Sequence, residues 1–87
     1  MYLQMPQTNI GLAQERAKKL GYTVKPSTVK NKKLDVFKDG VRVASIGDLR
    51  YEDYLTHKDE KRRIAYHKRH GNYPVGTAGW LAGKILW

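Results

Sequence analysis

LDVFKDGVRVASI, residues 34–46, decides the fold, because two alternating apolar and polar runs flank Asp39-Gly40. Aspartate and glycine tolerate positive φ and supply the central pair of a type I′ turn, whose twist matches that of the strands it joins. The stretch is predicted to form a β-hairpin over residues 33–47. Folding it about that tip sets Val36 opposite Val43 and Leu34 beside Ser45 on one face, with Phe37 opposite Arg42 on the other. Two strands alone are marginally stable in water, so the hairpin needs a third strand or a helix against one face.

Upstream, residues 1–7 show no clear period and include Pro6, which predicts an extended arm or a short edge strand. Over residues 8–21 the pattern turns helical. Ile10, Ala13, Ala17 and Leu20 share one face, Glu15, Arg16, Lys18 and Lys19 the other, and Gly21 stands where a left-handed terminator is wanted. Between helix and hairpin, YTVKPSTVKNKK (residues 22–33) is expected to be a turn-rich connection. Pro26 biases Lys25 away from helical dihedrals, and Ser27, Thr28 and Asn31 compete for backbone hydrogen bonds.

Downstream, DLRYEDYL (residues 48–55) gathers Leu49, Tyr51, Tyr54 and Leu55 in a short irregular or single-turn segment. Its tyrosines are expected to pack at the core edge with hydroxyls in water; the sharper alternative makes them stacking platforms for bases. Thr56 and Asp59 fit a capping box, which predicts a basic helix over residues 57–70 that stops at Gly71. Asp59 and Glu60 in its first turn and Lys68, Arg69 and His70 in its last suit the helix dipole. GNYPVG is a loop, and Thr77 caps a last aromatic helix within residues 77–87. Gly79 and Gly83 each cost that helix about 1 kcal/mol relative to alanine and so demand tertiary support. Trp87 is the last residue, so its carboxylate is expected near the core or an interface.

Composition bounds what such a chain can do. Its 87 residues suit one domain with a modest core, and 40% hydrophobic against 29% charged residues leaves no surplus of core, so help from a partner or from a second copy is expected. Without cysteine there is neither a disulfide framework nor a thiolate zinc site. No signal-peptide pattern and no run approaching about 18 apolar residues is present, which predicts a soluble intracellular protein with no membrane span. The net charge of +9 attracts polyanions: nucleic acid, an acidic protein surface or anionic lipid headgroups.

HKDEKRRIAYHKRHG, residues 57–71, holds all three histidines and a dense cationic cluster. His67 and His70 have a metal-ligand spacing, but His57 lies at the other helix end and no cysteine or well-placed carboxylate completes a tetrahedron, so no metal or other cofactor is expected. Eight scattered acidic residues and no recognised motif predict a protein that is not an enzyme and has no catalytic residue. Lys58, Lys61, Arg62, Arg63, Lys68 and Arg69 suit phosphate contacts. Lys32 and Lys33, with Lys18, Lys19 and Lys30, form a second patch. Cations on both sides of the helix do not make one recognition face, so any DNA or RNA binding is expected to be backbone-dominated, salt-sensitive and sequence-independent.

The segment from the lysine-rich lead at Lys32-Lys33 onward resembles a family of small basic proteins encoded by large DNA viruses of algae and amoebae, with related forms in phages. The matching features are Ser45 to Gly47, the Tyr51 to Tyr54 segment, Arg62, Arg63, Tyr66, Arg69 and His70 in the helix, and the pairs Gly79-Trp80 and Leu86-Trp87. The loop at Gly71 to Gly76 departs from the family in being shorter and less basic. The resemblance implies a viral origin, location in the virion and in the host cell interior during assembly, and a non-enzymatic job.

The expectation is therefore an α+β single domain: a β-hairpin, with room for a third strand in an antiparallel sheet, packed against two or three short helices. Its leading function is that of a minor capsid or cement protein contacting larger viral structural proteins or itself. Tyr51, Tyr54, Tyr66, Trp80, Leu86 and Trp87 would be interface or core anchors, and the basic helix the electrostatic contact. The alternative is a sequence-independent nucleic-acid-binding protein acting in genome packaging or infection.

Overall fold

Asn9 opens the first helix, its side-chain oxygen accepting the Leu12 amide at 3.1 Å, in a computed structural model that describes residues 9–87. The arm expected at residues 1–7 lies outside the described residues. Helix α1 (Ile10–Lys19) buries Ala13 and Ala17 completely and ends as Gly21 turns left-handed at φ 87°. Two alanines on the inner face let the helix lie close against the sheet.

The sheet is three-stranded and antiparallel, in the order β1 (Thr23–Pro26), β2 (Lys32–Lys38), β3 (Val41–Asp48). The third strand thus comes from the segment expected to be a turn-rich connection. Val24 is buried against the core, and Pro26, which cannot donate to a ladder, is tolerated because β1 is an edge strand ending there. Asn31, at φ 66°, turns the chain into β2. At the hairpin tip Asp39 and Gly40 both have positive φ, 52° and 79°, as the type I′ turn requires.

The expected hairpin register needs correction. Phe37 pairs with Arg42, but a bulge at Val36/Phe37 then pairs Val36 with Ala44 and Leu34 with Ile46, displacing Val43 and Ser45 from those places. An unbulged ladder would turn Ser45 toward the core and Ile46 away from it. The extra residue restores parity: Ile46 is buried, Val43 is exposed, and Ser45 meets the Asp35 carboxylate on the opposite face.

Two of the four helices pack against the sheet, and the helix expected over residues 57–70 starts later, at Glu60, after a separate single turn. Asp53 caps a single turn, α2 (Tyr54–His57), by accepting the Thr56 amide at 3.1 Å, and Lys58 ends it at φ 58°. Asp59 then starts α3 (Glu60–His70) as its own cap, accepting the Lys61 and Arg62 amides at 3.0 and 3.3 Å. The capping box fails because Thr56 is engaged with Asp53 one turn earlier. Helix α4 (Ala78–Ile85) is capped by Thr77 as expected.

Helix α1 packs over β1 and α4 over β3, and the two helices touch each other. Between them Val24, Leu34, Val36, Ile46, Leu55, Leu81, Ile85 and Leu86 close the core. Each large aliphatic side chain there stabilises the fold by about 2 kcal/mol relative to exposure. The support that Gly79 requires is Tyr73, whose ring lies where a Cβ would approach its Cγ to 2.6 Å. Among the described residues, no helix is long and apolar enough to cross a membrane.

Candidate functional site

Helix α3 stands apart from the rest of the fold: it has no fully buried residue and docks through a run of adjoining rings. Tyr66 stacks on Trp87 with 4.3 Å between centroids and planes 1° apart. On one side the run continues to His70 at 4.7 Å from Tyr66, then to Tyr73, with which His70 Nδ1 shares a 3.0 Å hydrogen bond. On the other it reaches His57, 5.2 Å from Trp87, and then Tyr54. Burial pushes the Tyr66 hydroxyl above its ordinary pKa, and the Tyr54 hydroxyl is raised chiefly by its hydrogen bond to Glu60.

Of the histidines considered as metal ligands, His57 accepts the Asp59 amide on Nδ1 at 2.9 Å, and its buried Nε2 has no hydrogen-bond partner among the described residues. His67 meets the edge of Tyr66, while His70 lies in the ring run. Among the described residues, no group of three or more histidine, aspartate and glutamate side chains is placed to hold a metal ion.

Beside the ring run lies a groove of about 590 Å³, between α3 and residues 48–53. Trp87, Tyr66, Leu86 and Ala82 supply its apolar surface, Arg62, Arg69 and His70 line it from α3, and Tyr51 stands opposite at 69% exposure. Each acid that lines it is matched to a cation. Arg50 grips Asp48 with Nε and Nη2 at 3.0 and 2.8 Å, holding that carboxyl far below its ordinary range. Lys33 meets Asp53 at 2.8 Å, and Arg62 meets Glu52 at 3.5 Å.

The cations of α3 divide into two sets. Lys61, Arg62, Lys68 and Arg69 are all exposed. Because a spacing of seven is close to two helical turns, the Lys68-Arg69 pair lies above the Lys61-Arg62 pair on one arc. Arg63 accounts for the other side of the helix and turns inward. Its Nε donates to the Trp87 main-chain oxygen at 3.1 Å, its Nη1 to Glu60 at 2.6 Å, and its guanidinium lies over the Tyr54 ring.

The remaining expected contacts separate as well. Lys58 and Lys32 are exposed, but Lys33, expected to meet phosphate, is only 9% exposed and is held by Asp53. Among the aromatic and apolar anchors, Leu86 is core, Trp80 and Tyr54 are half-buried against that core, and Tyr66 and Trp87 stack on each other. Tyr51 alone of the six is largely in solvent.

Sequence reasoning missed the polar cluster around Asp35. This buried carboxylate accepts from Ser27 Oγ at 2.6 Å and Ser45 Oγ at 2.7 Å, with the Thr28 amide at 3.3 Å and Arg42 at 3.7 Å. The signal was an aspartate set among Leu34, Val36 and Phe37, where a buried charge requires partners.

Fold and site together define a small α+β domain that carries a cationic helix over an aromatic-lined groove. Residues 22–70, more than half of the chain, match the family of unknown function DUF5754, and the chain belongs to that family. The matched region holds the sheet, α2 and α3, and with them the cationic arc. No curated protein and no solved structure matches the chain.

Proposed function

We propose that the protein binds the phosphate backbone of nucleic acid, without reading its sequence, through the outer arc of α3. The observation that supports this reading most is the common arc of Lys61, Arg62, Lys68 and Arg69. Among the described residues only Arg62 of the four is in an ion pair, and that pair is solvent-exposed and worth little. Four cations in two pairs set two helical turns apart, on a chain of net charge +9, face a polyanion with little to displace. Binding of this kind is non-catalytic and suits a viral protein that coats or packages its genome.

A second reading, a virion structural component contacting capsid proteins, rests on a different observation. Val41 and Val43 are 65% and 46% exposed on β3, which is an edge strand, and Leu49 is exposed beyond its end. Most of the side chains expected as interface or core anchors are engaged inside the domain, which leaves the polyanion reading better supported.

The test is charge reversal on the arc. Lys68→Glu with Arg69→Glu should weaken binding to a DNA duplex uniformly across sequences and reduce the salt dependence by about one unit of slope per lost contact. The paired change Lys18→Glu, Lys19→Glu on α1 should leave most of the affinity in place. Equal affinity before and after reversal on α3 would sink the reading.

A further inference from the structure

The groove beside the cationic arc adds a feature that phosphate contacts do not explain. Phosphate contacts alone require only exposed cations, whereas here Arg62 and Arg69 also form one wall of a concave, aromatic-lined space. Its volume of about 590 Å³ lies within the roughly 300–1,000 Å³ typical of small-ligand sites. An unpaired base with its sugar is a ligand of that scale, and a duplex keeps its bases stacked out of reach.

We infer that the groove takes an unpaired base of single-stranded nucleic acid, with the flanking phosphates held by Arg62 and Arg69; this rests on the polyanion reading above. Tyr51 is the stacking platform. Its ring is 69% exposed, a poor arrangement for a tyrosine that serves only the core, and Arg50 lies over it at 5.9 Å. Arg50 is itself fixed on Asp48, so a positioned cation adjoins the ring while most of the tyrosine remains open to a base. Across the groove the rings of Tyr66 and Trp87 extend the aromatic surface. The acids that line the groove repel phosphate from its interior even though each is paired, so the sugar-phosphate chain stays at the arginine wall while the neutral base enters.

The test compares three probes carrying equal numbers of phosphates: a short single strand of mixed sequence, an abasic strand of the same length, and a duplex. Fluorescence anisotropy on the wild-type chain should show the single strand binding at least about tenfold more tightly than the abasic strand. Tyr51→Ala should remove most of that difference without weakening the abasic strand; because Tyr51 is so exposed, the variant should fold, and a circular dichroism melt checks that it does. If all three probes bind alike with steep salt dependence, the base site is wrong and the phosphate reading stands. If none binds, both fall.

Discussion

The rings of Tyr66 and Trp87 lie face to face, 4.3 Å between centroids, and join α3 to the residues that follow α4. Because α3 buries no residue completely, this stack and the Arg63 hydrogen bond to Trp87 hold the cationic arc in place. Trp87→Ala should destabilise the domain by about 3 kcal/mol, and Trp87→Phe by less than half as much. Urea denaturation followed by circular dichroism reads both; an unchanged midpoint for the alanine variant would show that α3 is held by something else.

Asp53 couples two jobs, as the cap of α2 and as the partner of the nearly buried Lys33. Asp53→Ala leaves that ammonium without its counter-charge and should cost roughly 3 kcal/mol. Lys33→Met with Asp53→Asn keeps a capping side chain and removes both charges, so it should recover most of the loss. Comparing the two denaturation midpoints separates the charge effect from the cap.

Asp35 gives the fold an acid-sensitive element. The Ser27 hydroxyl chiefly, helped by Ser45, the Thr28 amide and Arg42 against the opposing effect of burial, lowers its pKa from 3.8 to about 2. A folded-state value below the unfolded one means that the stabilisation is fully present above about pH 4 and is lost as pH falls through about 2. The amount is roughly 2 kcal/mol. Thermal melts across that window should show the loss in the wild type, and Asp35→Asn should be less stable near neutral pH and flatter below about pH 4.

Local chemistry made the hairpin tip, the first helix and the last cap legible in the sequence: Asp39-Gly40, Asn9 to Gly21, and Thr77 each carry their signal within a few residues. The bulge at Val36/Phe37 was not legible, because it is decided by which of Ser45 and Ile46 the core will accept, and that depends on helices far away in sequence. The later start of the basic helix, at Glu60, was hidden for a similar reason. Asp53 and Asp59 are both competent caps, and Thr56 cannot serve Asp59 while it is engaged with Asp53. The cationic character of α3 was plain, but the inward turn of Arg63 and Lys33 required the positions of Trp87 and Asp53.

Gly47 is closely approached by the side chains of Leu86 and Lys33. It has φ 78°, and a Cβ there would stand 2.9 Å from Leu86 Cδ1 and 3.1 Å from the Lys33 side chain. Gly47→Ala should therefore destabilise by about 2 kcal/mol, combining backbone strain with displacement of Leu86 from the core. A melt that matches wild type would contradict that packing.

The most direct test of the central claim is titration of the protein with a short DNA duplex, by fluorescence anisotropy, at two salt concentrations fourfold apart. Four phosphate contacts along Lys61, Arg62, Lys68 and Arg69 predict an affinity that falls on the order of 100-fold between them, whatever the sequence. Absence of binding at the lower salt, or an affinity indifferent to salt, would contradict the account and turn attention to the exposed valines of β3.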